Sequence, residues 1–530
     1  MSEIPLSYLP CPIISEIDIE AANYDCILLV SCCDALSHHS PAHELVYNRV
    51  DTYTKLDTLA KTSPVVITVE KSLANGRLVY SPVGTISQDF DTVRRYSDAG
   101  FAGIRRATAS GARKILLITE QNDLFQQSEL ATVLGVLAGV YVSSEARKGG
   151  VKPKIDCLAI FATSAEGQKH IQKLILQATA IEAGRTVSRD IANGSPTYMT
   201  PHVAAQFVWG MLDRFEAITA EVISDQTVIE QQYPLVAAVN RAVNNEPKYE
   251  ARVVKLTYTG DGPIEKTLMF VGKGVTLDTG GMDVKVSGAM LGMSHDKGGA
   301  AAVAGIFKVL AVLRPRGIKV MATIPFVRNG VGPDAVTCDE IIVSRSGKRM
   351  RIINTDAEGR MIMIDPLTEI VKQAPNEINP HIFTIATLTG HAVLTSGAGN
   401  GIIVPNGCSA KLNIPNDLKS SGESLGETFD ITSLRPEDYA FHLTNSDEED
   451  MIQSYSKPST QTPRGHQIPV AFLIMGSGLD KHGLGSQQPI PYTHFDIAGA
   501  EMGEKTNSSS AMSSGAPVMT FAVNYFLPNV

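Results

Sequence analysis

The chain contains no run approaching about 18 uninterrupted apolar residues, the length a helix needs to cross a bilayer, so no membrane partner is expected. It also lacks a basic cluster. Lys and Arg number 46 against 55 Asp and Glu, and the formal net charge of -9 is spread along the chain. Nucleic-acid binding needs a concentrated positive footprint, so no such partner is expected. The opening, MSEIPLSYLPCPIISEIDIE, has no basic segment followed by an apolar one, which argues against a secretory signal. No C-x-x-C pair occurs among Cys11, Cys26, Cys32, Cys33, Cys157, Cys338 and Cys408, and their number is odd. Several lie in apolar runs such as CILLVSCC, so they read as reduced, mostly buried thiols, and a cytoplasmic location is expected. Internal repeats and low-complexity tracts are absent. So are the phosphate-cradling patterns G-x-x-x-x-G-K-[ST] and G-x-G-x-x-G, and the zinc pair H-E-x-x-H.

What is present is an ordinary globular composition, 43% apolar and 19% charged, in 530 residues, more than one hydrophobic core usually supports. Over residues 1–163 short β-rich runs (CILLVS, PVVITVE, KILLIT, CLAIFA) alternate with helical patterns near 91–110 and 128–148. That alternation predicts an α/β domain with a mainly parallel sheet, serving as scaffold or regulator. Residues 164–193 read as a connecting amphipathic helix with Ile171, Leu174, Ile175, Ala178 and Ile181 at helical spacing, ended by the breaker stretch ANGSPTYMTP. Residues 194–530 alternate again (RVVKLTYTG, KTLMFVGKGV, IKVMATIPFV, RMRIINTD, HIFTIATLTG, YTHFDIAGA). They predict a larger α/β domain with a mixed central sheet flanked by helices. The polar stretch 411–463, with its acidic run SDEED, is expected to be surface loop and helix.

Three segments of the second domain concentrate charge beside small residues. GKGVTLDTGGMDVK carries Lys273, Asp278 and Lys285; SHDKGGAAAVAG places Asp296 just before a helix of small apolar residues; NTDAEGR carries Asp356, Glu358 and Arg360. Asp356 and Glu358 are two apart, so in an extended segment both would point to one face. Crowded carboxylates repel, and burial sharpens the repulsion unless protons or cations neutralise them. Divalent ions with a taste for hard oxygen ligands do so directly: Mg, Mn or Zn. Taken singly, each piece has a plainer reading. Lys273 could be a solvated strand end, Asp296 a helix N-cap, and DAEGR a turn.

Together, NTDAEGR, GKGVTLDTGG and the spacing K-x(10)-D resemble the leucyl aminopeptidase (cytosol aminopeptidase) family, two-zinc hexameric enzymes. The resemblance runs over most of 187–500, including SRDIANGSPTYMTP, TIATLTGHAVL and YTHFDIAGA; over 1–160 it is one of layout only. It implies that Lys273, Asp278, Asp296, Asp356 and Glu358 hold two metal ions, with Asp278 and Glu358 bridging. It implies catalytic roles without metal for Lys285 and Arg360, the latter holding a bicarbonate. Met293, Thr387 and Gly390 are implied to line the pocket for the first side chain, and a homohexamer acting on peptides with a free N-terminus is implied as well. The chain departs from the family's usual pattern at FVRNGVGPDAVTCDE, at His295 before Asp296, at DPL (365–367) and at Tyr492. The metal set is untouched by these changes, while a preference for leucine is not implied. The expected chemistry is attack on the first peptide bond by a hydroxide shared between two ions. The alternatives are a metal-binding hexameric scaffold without catalysis and a two-metal phosphoesterase.

Overall fold

A computed structural model of the chain describes residues 9–21, 23–32, 41–212, 214–501 and 513–530. They form two units. The first comprises Met1–Thr186 with Gly422–Glu427, and the second Val187–Ser421 with Thr428–Val530. The division falls inside a single helix, Ala165–Ala192.

The first unit is built on strands β1 (Ile13–Glu16), β2 (Cys26–Ser31), β3 (Val65–Thr68), β4 (Arg77–Pro82), β5 (Lys114–Ile118) and β6 (Cys157–Phe161). They lie in the order β1-β6-β5-β2-β4-β3, parallel throughout except for β3 at one edge. β2 reads CILLVS and is buried at every position, as a central parallel strand covered on both faces requires. Cys11, Cys26 and Cys32 are buried in this unit, Cys157 is half-buried, and Cys33 lies outside the described residues.

The second unit carries β7 (Ile218–Ile223), β8 (Arg252–Thr259), β9 (Lys266–Gly272), β10 (Gly274–Asp278), β11 (Ile318–Asn329), β12 (Ile341–Val343), β13 (Arg349–Arg351), β14 (Pro380–Ala386), β15 (Asn400–Pro405), β16 (Thr428–Ile431), β17 (Met451–Ile452) and β18 (Tyr492–Asp496). Its main sheet runs β16-β15-β18-β14-β9-β11-β8-β7, with β10 added beside β11. The centre, β18-β14-β9-β11, is parallel, and β15, β8 and β7 bring in antiparallel pairs, so the sheet is mixed.

β9 shows why the centre is stable. Met269 and Val271 enter one core with Met361, Ile364 and Phe472. On the opposite face Phe270 stacks on Phe383 at 5.3 Å and meets the edge of Phe521 at 5.0 Å. The helix Gly298–Leu313 lies directly on the backbone of β9 and β14. A Cβ on Gly299 would come within 2.0 Å of the Ile385 carbonyl, so only glycine permits that approach. This helix therefore begins within touching distance of the C-terminal ends of β9 and β14.

The polar stretch 411–463 is mostly exposed or half-buried, as expected, but not throughout. It contributes β16 and β17, and it buries Asp438, His442 and Gln453. Polarity in the sequence reports the need for partners, and these side chains find them inside: the His442 imidazole bonds the Ile452 and Ile468 carbonyls, and Arg464 pairs with Asp438.

Candidate metal centre

The charged segments converge at the C-terminal ends of the parallel strands, where open α/β sheets place their ligands. Lys273 follows β9, Asp278 ends β10, Asn329 ends β11 and Thr387 follows β14. Asp296 sits on the single turn ahead of the helix Gly298–Leu313, and Glu358 is the first residue of the helix Glu358–Gln373. The extended reading of 356–358 does not hold: β13 stops at Arg351, and Asp356 sits in a turn where its N–H bonds the Asn354 side chain at 2.8 Å. Asn354 competes with the strand for local hydrogen bonds, and that turns the chain into the helix two residues later. No side chain caps the Gly298–Leu313 helix, so Asp296 is free of the N-cap role.

The resulting geometry is tight. Lys273 Nζ lies 2.6 Å from Asp296 Oδ1 and 2.9 Å from Glu358 Oε1, and donates to the Thr387 carbonyl at 2.9 Å. Lys285 Nζ lies 2.9 Å from Asp278 Oδ2 and 2.5 Å from Asp356 Oδ1. Among the described residues, Asp278, Asp296 and Glu358 form one group whose donor atoms all lie within 4.8 Å of one another. Asp356 stands outside that group and joins it through Lys285. Asp278, Asp296, Glu358 and Lys273 are all buried.

Electrostatics shows what the cluster lacks. Burial, Glu358 and Asp278 push the Asp296 carboxyl well above its usual range despite the pull of Lys273. Asp356 is pushed up to about 7 by burial, Asp278 and Glu358, against the opposing effect of Lys285. Burial works to lower both lysines, but the surrounding carboxylates outweigh it and hold Lys273 and Lys285 as ammonium ions. Four carboxyl groups thus crowd two ammonium groups, and Asp296 and Asp356 are driven toward the protonated form for want of further positive charge. Asp296 Oδ2 and Glu358 Oε2 are buried with no hydrogen-bond partner among the described residues. Buried carboxylate oxygens without a partner cost kilocalories each, and hard divalent ions are what such oxygens bind. The residues fit a divalent-metal site. Lys273 could join as a ligand only as a neutral amine, a state that adjacent cations favour.

The supporting polar shell was largely invisible in the sequence. Asn329 donates to Asp278 Oδ1 at 2.8 Å and to the Thr355 carbonyl at 3.2 Å. The Thr387 hydroxyl donates to Asp296 Oδ1 at 2.8 Å. Gln453 braces the signature turn: its amide donates to the Asn354 and Ala357 carbonyls and accepts from the Ile353 and Asn354 N–H groups. Only the unusual 326–340 segment hinted at Asn329, and nothing near the signature hinted at Gln453, which lies about a hundred residues downstream.

Arg360 is buried, donates from Nη1 to the Gln453 carbonyl at 3.2 Å, and leaves Nε without a partner. Met293 is half-buried on the turn that carries Asp296. Gly390 opens the helix Gly390–Ser396, whose cap Thr389 is tied to buried Asp496. Thr460 Cγ2 stands 2.8 Å from where a Gly390 Cβ would sit, so a larger residue there would displace it. The His295 imidazole, pushed down to about 4 by burial and Lys297, makes no hydrogen bond to Asp296.

Against this geometry, a profile described as the cytosol aminopeptidase family, catalytic domain, matches residues 186–522. A Caenorhabditis elegans protein named as an aminopeptidase is 39% identical over 528 residues, 99% of each chain. A Chlamydia muridarum protein named as a cytosol aminopeptidase is 30% identical over 361 residues, 67% of this chain and 66% of its own. In three dimensions, a leucyl aminopeptidase from Trypanosoma brucei in complex with bestatin superposes with a TM-score of 0.77 at 20% identity, covering 98% of this chain and 96% of its own. The bottromycin maturation enzyme BotP in complex with Mn superposes with a TM-score of 0.74 at 20% identity, covering 95% and 99%.

Proposed function

The chain belongs to the cytosol aminopeptidase family and is a peptidase, and from that premise we propose that it releases N-terminal residues from peptides at a two-metal centre held by Lys273, Asp278, Asp296, Asp356 and Glu358. The observation that carries the proposal is the buried trio Asp278, Asp296 and Glu358, with donor atoms within 4.8 Å of one another, together with the orphaned oxygens Asp296 Oδ2 and Glu358 Oε2.

Zinc is the natural pair for this donor set, with manganese or magnesium at the more exchangeable position beside the partly exposed Asp356. When bound, the ions supply a water acidic enough to attack near neutral pH and a Lewis acid for the scissile carbonyl. The chain's own groups supply the rest. Lys285 keeps its proton, and its ammonium stabilises the oxyanion as the carbonyl is attacked, a fixed charge in a site shielded from water. Arg360, with an unpaired Nε, presents a planar fork suited to a planar oxyanion such as bicarbonate, which would carry the proton to the leaving amine. Met293, Thr387 and Gly390 border the side chain of the first residue. Thr387 also orients Asp296, so binding and metal retention meet at that residue. A cytoplasmic homohexamer completes the proposal; light scattering on the purified protein tests the assembly.

One panel tests the activity: amino-acid amides and anilides with added Zn²⁺, Mn²⁺ or Mg²⁺, beside N-acetylated and phosphate-ester controls. Turnover of the free-amine substrates alone is expected. A protein that holds two equivalents of metal and hydrolyses none of them would overturn the reading.

A further inference from the structure

The loop between Asp278 and Lys285 is short, carries two glycines and is exposed at residues 282–284, yet it must hold an ammonium at a fixed place. Two contacts close it on itself: the Lys285 N–H bonds the Thr279 carbonyl at 2.9 Å, and the Gly280 N–H bonds Asp278 Oδ1 at 2.9 Å. Gly280 and Gly281 have φ of +87° and +65°, so the turn uses backbone geometry that side chains disfavour. These contacts shape the loop, but they do not place it relative to Asp356, which lies on a different segment.

Asp283 does that. Its Oδ2 accepts from the Thr355 N–H at 2.7 Å, and its own N–H donates to Thr355 Oγ1 at 2.8 Å. The Thr355 hydroxyl donates to the Gly280 carbonyl at 2.7 Å. A third segment joins through Cys338, whose thiol points at Asp283 Oδ2 from 3.5 Å. Thr355 is buried, its carbonyl is bonded by Asn329, and it immediately precedes Asp356. Asp283 and Thr355 therefore form a reciprocal clasp between the lysine-bearing loop and the carboxylate-bearing turn. Both ends of the Lys285–Asp356 contact hang from it. Neither residue touches the metal-site oxygens directly; their reach is through Lys285 and Asp356.

We propose that Asp283 is a positioning residue for catalysis: clasped to Thr355, it sets the location of the Lys285 ammonium against the metal centre. The inference rests on the peptidase reading given above. A misplacement on the order of 1 Å costs roughly a hundredfold in rate when the displaced group acts in the transition state. The amide of Asp283→Asn retains an acceptor for the Thr355 N–H, whereas Asp283→Ala retains none.

The test measures kcat, KM and bound metal for Asp283→Ala and Asp283→Asn with a free-amine anilide. For Asp283→Ala, kcat is expected to fall about ten- to a hundredfold with KM within about twofold and full metal content, and Asp283→Asn should recover much of the loss. Wild-type kcat in Asp283→Ala, or a kcat loss that tracks loss of metal, would overturn the inference. Should Asp283→Ala fail to fold, Thr355→Val, which removes the other half of the clasp, must give the same selective fall in kcat, and an unchanged kcat there overturns it too. A wild-type protein without peptidase activity would sink the functional reading itself, which is a different outcome from an active wild type with an indifferent Asp283.

Discussion

Replacing Lys285 by alanine separates catalysis from metal binding, because the two should respond in opposite directions. The ammonium sits 2.9 Å from Asp278 Oδ2 and 2.5 Å from Asp356 Oδ1, two of the proposed ligands. At an effective dielectric near 20, a separation of 2.9 Å corresponds to a gross attraction of about 6 kcal/mol, much of it offset by desolvation of the partners. Lys285 therefore competes with cations for the same oxygens. Its removal leaves the carboxylates more negative, so metal affinity in Lys285→Ala should hold or rise. Catalysis should move the other way. Loss of a preorganised charge aimed at an oxyanion costs about 10²–10³ in kcat, or about 2.7–4 kcal/mol. Lys285→Arg should recover little, since a planar fork does not reproduce a compact point charge between two carboxylates. The assay pairs anilide hydrolysis with metal content by mass spectrometry and metal titration by calorimetry. Full kcat in Lys285→Ala would refute the catalytic assignment. A fall in kcat in proportion to metal loss would refute the competition argument and make Lys285 part of the scaffold.

Asp296→Asn should lower the bound metal by about one equivalent per chain while leaving the Thr387 contact in place, since an amide oxygen still accepts at that position; two equivalents retained at full affinity would remove Asp296 from the ligand set. Gly359→Ala would thrust a methyl to 2.5 Å from Lys273 Cε, so a destabilisation of about 1–3 kcal/mol with weakened metal binding is expected in thermal melts and titrations. In chelator-stripped protein the Asp356 contribution to stability should be lost as pH rises from about 4 through 7. Asp356 has a folded pKa raised to about 7 from an ordinary 3.8, so the folded state binds more protons than the unfolded one in that window. The pH slope of the melting temperature should flatten in Asp356→Asn and on restoring metal; an identical slope in the variant would contradict the electrostatic account.

The central sheet was legible because its strands obey a local rule: β9 carries the unbroken apolar run LMFV and β14 an apolar run interrupted only by Thr384, and both make sense only with both faces covered. The helix Gly298–Leu313 was equally plain, as a run of small residues between two such strands. The signature turn was not. Asp356 and Glu358 were expected on one face of an extended segment, and they come from a turn and a helix start instead. The error lies in taking the strand period past Asn354, whose side chain bonds the Asp356 N–H and bends the chain. The two carboxylates still lie close enough for the Glu358 charge to raise the Asp356 pKa, in spite of the different backbone.

The supporting residues expose a more general limit on sequence reading. Charge betrays the proposed ligands, because a buried carboxylate without a cation is costly and so carboxylates in apolar settings stand out. Asn329, Gln453 and Thr355 carry no charge, and their importance lies in which particular donor meets which particular acceptor: Asn329 with Asp278, Gln453 with the turn at 353–357, Thr355 with Asp283. That pairing is set by the crossing of segments as far as a hundred residues apart, so no window of sequence contains it. The site is thus a charged cluster marked by three segments of the sequence and by the family resemblance they carry, held by a neutral lattice readable only from the fold. The two should fail differently on mutation: loss of a ligand empties the site, whereas loss of a lattice residue keeps the metal and misplaces the groups that act with it.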